Sequence, residues 1–121
     1  MKKFLRGFSY AFKGIAYATS TQINFRVELV CTVIVALLGY VLHISALEWV
    51  CIAICVGLVT AAEMVNSAIE VLTDLVSPEW NEKAGHVKDI ASGAVLVIGI
   101  FAAIAGTIIF LPKILTLIHA A

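Results

Sequence analysis

Three long apolar stretches divide the chain, and each is long enough to cross a lipid bilayer as a helix. The pattern predicts spanning helices at residues 23–43, 47–75 and 90–111. About 20 apolar residues in a helix cover a hydrocarbon core of about 30 Å. The third stretch contains no charge at all, whereas the second becomes acidic in its C-terminal half. The sequence therefore predicts an all-α membrane protein.

Residues 1–21 have a different periodicity, which predicts an amphipathic helix lying in the membrane surface. A soluble helix packed on a partner would show the same pattern, but the apolar stretches that follow favour the membrane. The threonine and serine residues at 19–21 predict a break before the first span. One face of the predicted helix is aromatic and apolar and the other is cationic: Phe4, Phe8, Ala11, Phe12 and Ile15 against Lys2, Lys3, Arg6 and Lys13.

Residues typical of turns and helix caps predict where the spanning helices begin and end. The S-A-L-E sequence at 45–48 has the form of a capping box, which predicts the start of the second span. Residues 77–89 form a polar connector, in which Ser77 and Pro78 predict the first turn of a short helix closed by Gly85. Pro112 is predicted to end the third span. The whole chain, residues 1–121, is interpreted as a single membrane domain.

Composition and charge narrow the class of protein. The chain is 62% hydrophobic and 13% charged, with a mean hydropathy of +1.06, which excludes an ordinary soluble domain. Its formal net charge is zero, so it offers no basic surface for nucleic acid. Five of the eight Lys and Arg residues precede Val27, and the turn at 43–48 has none. The positive-inside rule therefore places the N-terminus and the connector in the cytoplasm.

One face of the second span carries the candidate chemistry. Glu63, Asn66, Glu70 and Asp74 share that face at about 100° per residue. A carboxylate at mid-membrane costs about 2.5–3.5 kcal/mol on insertion scales, and such residues usually mark function. A packing face with protonated or paired carboxylates is the alternative. An ion conduit would also place glutamates in the middle of a helix.

The residue types suit phosphoryl transfer although no nucleotide-binding loop is present. The chain has neither a G-x-x-x-x-G-K-[ST] loop nor a G-x-G-x-x-G fingerprint. Phosphoryl transfer needs a carboxylate for the acceptor proton, a divalent metal and a cation on the transferred group. Glu70 and Asn66 offer the oxygen ligands that magnesium prefers, and Lys88 could reach a phosphate at the cytoplasmic surface. A lipid hydroxyl would lie at the depth of Glu63.

Two motifs carry a resemblance to a known family. The sequence E-x-x-N-S-A-I-E-x-x-x-D at 63–74 and the sequence K-D-x-x-S-x-A-V-L at 88–96 resemble the small prokaryotic integral-membrane diacylglycerol kinases, which include undecaprenol kinases. Lys-Gly at 13–14 and Asn-Phe-Arg at 24–26 extend the resemblance over nearly the whole chain. The resemblance implies a homotrimer in a bacterial inner membrane, with active sites shared between subunits on the cytoplasmic side.

The resemblance also implies the roles of individual residues. ATP would be the phosphoryl donor, with Mg²⁺ as the metal. Glu63 matches the catalytic base, with Asn66 beside it, and Glu63 and Ser92 match the lipid site. Glu70 and Gln22 match the metal positions. The positions that match nucleotide contacts are Lys3, Arg6, Tyr10, Glu70, Glu79, Lys88 and Asp89.

Gln22 departs from the family pattern, which usually has a metal-holding glutamate there. A glutamine still offers a carbonyl oxygen, but it is neutral, so weaker metal binding is expected. Glu28 lies six residues further on. It falls on a different face of the helix from Gln22 and is not expected to compensate.

The leading interpretation is therefore an ATP-dependent lipid kinase that phosphorylates the hydroxyl of diacylglycerol or undecaprenol. The Asn-Phe-Arg sequence at 24–26 and the Ser-Pro-Glu turn at 77–79 favour the undecaprenol kinases. The alternative is a protein of the same fold without enzymatic activity, either an ion conduit or a regulatory subunit. The neutral Gln22 is the feature that favours this alternative.

Overall fold

The computed structural model describes residues 1–121 as four helices and no strands. They are α1 (Lys2–Thr21), α2 (Ile23–Val41), α3 (Ala46–Val76) and α4 (Glu82–Ala120). By length and composition, α2, α3 and α4 are each able to cross a membrane. The predicted all-α architecture with three candidate membrane spans is confirmed. The position of α1 in the membrane surface stays a prediction.

Two ion pairs show that α3 and α4 run antiparallel. Near the start of α3, Glu48 Oε1 lies 3.3 Å from Nζ of Lys113, which is near the end of α4. Near the end of α3, Asp74 pairs with Lys88 close to the start of α4. The two long helices are thus joined by charged side chains at both of their ends.

The turn between α2 and α3 is tightly packed. The predicted capping box is confirmed: the Ser45 amide donates to Glu48 Oε1 at 2.9 Å, and the Glu48 amide donates to Ser45 Oγ at 3.2 Å. His43 adopts a positive φ of 51° to reverse the chain. Gly39 packs so closely on Trp49 that an added Cβ would lie 2.8 Å from its Cη2 atom. The turn therefore needs glycine at position 39 for steric reasons.

The connector is shorter than the sequence predicted. No helix forms at 78–84, and α4 begins at Glu82. Asn81 caps it by accepting hydrogen bonds from the amides of Lys83 and Ala84, at 3.0 and 3.2 Å. The Ser77 hydroxyl instead donates to the carbonyl of Glu79 at 3.2 Å. The predicted short helix was wrong because Asn81 is the N-cap of the long helix α4, whereas Ser77 is the C-terminal cap of α3 and not an N-cap.

Two predicted helix ends are also displaced. Thr19 and Thr21 donate to the carbonyls of Ile15 and Tyr17, at 2.8 and 2.7 Å, so α1 continues through the predicted break and ends before Gln22. Helix α4 continues past Pro112 to Ala120. A proline removes one backbone hydrogen bond, but spanning helices tolerate it when other groups compensate.

Little of the chain is buried by its own folding. Only 11 of 121 residues are buried, and most large apolar side chains of the spans are exposed. The small core consists of Ile44, Ile52, Ile109 and Phe110 near the α2–α3 turn. An apolar surface of this extent is covered by lipid or by other chains, because it would aggregate in water.

Candidate active site

The acidic face of α3 is the most polar part of the interior. Glu63 and Asn66 are only 4% and 5% exposed, and Ser67, which follows Asn66, is also buried. The Ser67 hydroxyl donates to the backbone carbonyl of Glu63 at 2.9 Å, one turn earlier. Asn66 Nδ2 donates to Glu70 Oε1 at 3.4 Å. The structure thus brings three of the predicted site residues, Glu63, Asn66 and Glu70, onto one partly buried stripe.

Two buried oxygen atoms in this region have no hydrogen-bond partner. One is Asn66 Oδ1, and the other is Glu28 Oε2 on α2. An unsatisfied buried polar group costs about 1–3 kcal/mol, so such atoms are rare unless a ligand completes them. Glu28 lies close enough to Glu63 for the two carboxylates to repel each other. The site therefore extends to a second helix and includes a third carboxylate, beside those of Glu63 and Glu70.

Glu28 lies beside this site, where the sequence did not place it. It falls on a different face of α2 from Gln22, but its acidic neighbour is Glu63 on α3. Phe25, which is 1% exposed, fixes the start of α2 against the rest of the bundle. A charge in an otherwise apolar span is itself a signal of function, and that signal would have found Glu28.

A second polar region lies where α3 ends and α4 begins. A crevice of about 280 Å³ is lined by residues from both helices and the connector, including Asp74, Glu79, Asn81 and Lys88. Asp74 accepts a hydrogen bond from the Lys88 ammonium. Asp74 is four residues beyond Glu70, which corresponds to about 6 Å along the helix. This crevice therefore lies next to the acidic face of α3.

The remaining predicted site residues of α4 and the connector are at the surface. Glu79, Asp89 and Ser92 are exposed. Asp89 and Ser92 lie in the first turns of α4, beyond the crevice lysine. They are free to meet a ligand or another chain.

The α1 residues are not brought to this site within one chain. Lys3, Arg6 and Tyr10 are all exposed, and none forms an ion pair with α3 or α4. The Tyr10 ring instead lies 5.7 Å from the Lys13 ammonium. Gln22 Nε2 donates to Thr21 Oγ1 at 3.4 Å. A single chain therefore assembles the α3 and α4 parts of the predicted site and leaves the α1 part separate.

An apolar cavity has Glu28 in its lining. It measures about 420 Å³ and lies between α2, α3 and α4, with Glu28 and Thr60 in its lining. Ile52 and Phe110 line it nearer to the α2–α3 turn. Thr60 and Ile52 are eight residues apart, so the cavity extends about 12 Å along α3. Helix α4 contributes only small residues over most of this length: Gly99, Ala102, Ala103 and Gly106.

The geometry defines a helical membrane protein whose buried acidic groups lie between an apolar cavity and a polar crevice. The sequence profile described as prokaryotic diacylglycerol kinase matches residues 9–110. The chain is 32% identical over 114 residues to the undecaprenol kinase of Bacillus subtilis (strain 168), covering 94% of this chain and 93% of that protein. It is also 32% identical over 102 residues to the diacylglycerol kinase of Escherichia coli (strain K12), covering 84% of each.

A diacylglycerol kinase of Synechocystis sp. is 39% identical over 114 residues, which are 93% of this chain and 65% of that protein. The chain belongs to the prokaryotic diacylglycerol kinase family. The resemblance inferred from the two sequence motifs is thereby confirmed. The family consists of lipid kinases, so the protein is an enzyme of the phosphotransferase class and lies in a membrane.

Proposed function

We propose that the protein transfers the γ-phosphoryl group of ATP to the hydroxyl of a membrane lipid, either diacylglycerol or undecaprenol. The observation that carries the proposal is the position of Glu63 and Glu28. Glu28 lines one end of an apolar cavity, and Glu63 on α3 lies close enough to repel it. The crevice that contains Lys88 lies further along α3. Lipid and nucleotide can thus reach the same carboxylates from different directions.

Glu63 is the proposed general base. The lipid hydroxyl donates its proton to the Glu63 carboxylate as its oxygen attacks the γ-phosphorus, and ADP leaves with the bridging oxygen. Glu63 is buried, so its carboxylate is shielded from bulk water that would compete with the lipid hydroxyl. Ser92 on α4 is proposed to contact the same headgroup. The apolar chain of the acceptor would occupy the cavity that ends at Glu28.

Lys88 is the proposed cation on the γ-phosphate, in agreement with its place in the polar crevice. Glu79 borders the same crevice, and Asp89 follows Lys88 at the exposed start of α4. These residues are proposed to contact the nucleotide. An ammonium at this position neutralises charge on the transferred group, which is the main electrostatic requirement of the reaction.

The oxygen atoms of Asn66 and Glu70 on the buried stripe of α3 fit a magnesium ion. Asn66 Oδ1 is buried without a partner, and Glu70 adds a carboxylate one turn away. Magnesium uses one or two carboxylates together with water and substrate phosphates, so a cluster of three acidic side chains is not required. Glu70 and Asn66 would hold the ion, with Gln22 as a neutral oxygen donor. When bound, magnesium neutralises the negative charge of the phosphates.

A homotrimer with shared active sites would complete the nucleotide site. Lys3, Arg6 and Tyr10 are exposed, and none forms an ion pair with α3 or α4 within one chain. Large apolar areas of the spans are also left uncovered. We propose that α1 of one copy supplies these three side chains to the crevice of another. The N-terminus and connector would face the cytoplasm of a bacterial inner membrane, where ATP is available.

A second candidate is a protein of this fold without turnover, acting as an ion conduit or a regulatory subunit. Gln22 favours it, because this neutral residue stands where the family usually has a metal-binding glutamate. The chain also forms no group of three or more His, Cys, Asp or Glu that could hold a metal ion by itself. This candidate predicts a folded protein that does not bind magnesium-ATP at millimolar concentrations.

The two candidates are separated by one assay. Purified protein in micelles is given magnesium-ATP with diacylglycerol, with undecaprenol or with both in competition. Formation of a phosphorylated lipid supports the kinase, and the competition assigns the preferred acceptor. No phosphorylated lipid and no equilibrium binding of magnesium-ATP would support the second candidate.

A further inference from the structure

The ion pair between Asp74 and Lys88 has no role in the function proposed so far. It joins residues 14 positions apart, across the connector and inside the polar crevice. Neither side chain is buried: Lys88 is 40% exposed and Asp74 is 66% exposed. Exposed ion pairs contribute little to stability, so stabilising the fold does not account for the pair well.

We propose that Asp74 is a positioning residue that holds the Lys88 ammonium in place for the γ-phosphate before the nucleotide binds. This inference rests on the proposed kinase function. An ammonium group has three donors, and Asp74 occupies one of them. The other two remain available for phosphate oxygens. Asp74 lies one helical turn from Glu70, so the held ammonium is close to the proposed magnesium ligand.

The physical reason is the flexibility of lysine. A lysine side chain has four rotatable bonds, and it loses much of this conformational freedom when it is fixed on a ligand. A side chain that is already ordered binds with a smaller entropic loss. Asp74 therefore favours nucleotide binding although it carries the same sign of charge as the phosphate.

The chain provides a matched control for this pair. Glu48 and Lys113 also join α3 to α4, at the opposite end of the two helices and away from the crevice. A variant that breaks either pair removes one carboxylate-ammonium contact between the same helices. Only the Asp74 variant should alter nucleotide binding if the proposal is correct.

The first measurement is the KM for magnesium-ATP at saturating lipid. Asp74→Asn is expected to raise this KM about five- to tenfold, the range expected when one flexible side chain loses its order. Asp74→Glu keeps the charge and is expected to stay within about threefold of wild type. Glu48→Gln is expected to leave the KM unchanged. An unchanged KM in Asp74→Asn would overturn the proposal.

The second measurement asks whether Asp74 acts through Lys88. In the double variant Asp74→Asn/Lys88→Met, the KM is expected to equal that of Lys88→Met alone, because the residue to be positioned is already missing. If the two substitutions instead raise the KM independently, so that their effects multiply in the double variant, the proposal is contradicted. A greater fall in melting temperature for Asp74→Asn than for Glu48→Gln would identify a structural pair and would also overturn it.

Wild-type activity separates this inference from the proposed function. If the wild type forms no phosphorylated lipid, the kinase proposal itself fails. If the wild type is active and Asp74→Asn has a normal KM, the kinase proposal stands and the positioning role is removed.

Discussion

Asn66 donates a hydrogen bond from Nδ2 to Glu70 Oε1 at 3.4 Å, while its own Oδ1 is buried without a partner. The bond to Glu70 fixes the orientation of the amide. The Oδ1 atom, a hydrogen-bond acceptor and possible metal ligand, is therefore held in the interior without a partner in the chain. Such an arrangement costs stability and is typical of functional sites, where a ligand completes the missing interaction.

Replacing Asn66 with an apolar residue should raise the stability of the protein and lower its activity. Asn66→Leu removes the unsatisfied oxygen and fills similar space with an apolar side chain. We expect the protein to become more stable, by about 1 kcal/mol, because the buried unsatisfied group is lost. Lipid phosphorylation should fall at least about 100-fold, because an oxygen donor is missing from the site.

Thermal unfolding in micelles and the lipid kinase assay test both parts of this prediction. Ser67→Ala is the control, because Ser67 is equally buried and its hydroxyl bonds only to the backbone carbonyl of Glu63. It should retain most of the activity. An Asn66→Leu protein that is less stable and fully active would show that Asn66 is an ordinary packing residue.

Glu28 should contribute to turnover, although it falls on a different face of α2 from Gln22. Glu28→Gln preserves the shape of the side chain and removes its charge beside Glu63. We expect turnover to fall about 10–1,000-fold with the fold intact, in the range seen when a charged group of an active site is neutralised. The measurement is kcat with each lipid, together with unfolding in micelles.

Cys31 offers a control for the Glu28 variant, because it lines the same cavity and carries no charge. Cys31→Ala should leave turnover within about threefold of wild type. Normal turnover in Glu28→Gln would place this carboxylate outside the reaction.

Gln22→Glu should lower the magnesium concentration that activity requires. A carboxylate is a better magnesium ligand than a neutral amide oxygen, because it adds a negative charge. We expect the magnesium concentration for half-maximal activity to fall about threefold or more, in keeping with the effect of ligand charge on affinity. A magnesium titration at fixed ATP measures it. Equal half-maximal concentrations would mean that position 22 does not contribute to the metal site.

Gly39 should be the most sensitive glycine of the bundle. An added Cβ would lie 2.8 Å from Trp49 Cη2 and 2.9 Å from Ile44 Cδ1. Overpacking of this kind costs about 1–3 kcal/mol. Gly39→Ala should therefore lower the melting temperature. Gly57→Ala, which meets nothing within 4 Å, should be neutral or stabilising, and an equal loss in both variants would argue against close packing at Gly39.

Much of the fold could be predicted because the length of an apolar stretch and the residues of a turn determine the local structure. The S-A-L-E sequence at 45–48 marked the start of α3 correctly, since both hydrogen bonds of its capping box form within four residues. The end of α4 could not be predicted in the same way. Proline usually ends a helix, but α4 continues past Pro112 to Ala120, with Lys113 paired to Glu48 of α3. That contact between distant parts of the chain is not visible in the local sequence.

The site, like the fold, could be predicted from the sequence only where the residues lie on one helix. Glu63, Asn66 and Glu70 could be grouped from the sequence because they share one helix, and helical spacing alone sets their face. Glu28 could not be grouped with them, since its proximity to Glu63 depends on how α2 packs against α3. The Asp74–Lys88 pair likewise forms across the connector, where no periodicity applies.

The central claim is that Glu63 takes the proton of the lipid hydroxyl during phosphoryl transfer. The most direct test is the rate of lipid phosphorylation by Glu63→Gln at saturating magnesium-ATP and lipid, measured on protein with wild-type unfolding behaviour. We expect a rate at least about 100-fold below wild type, with magnesium-ATP still bound. A rate equal to that of the wild type would contradict it.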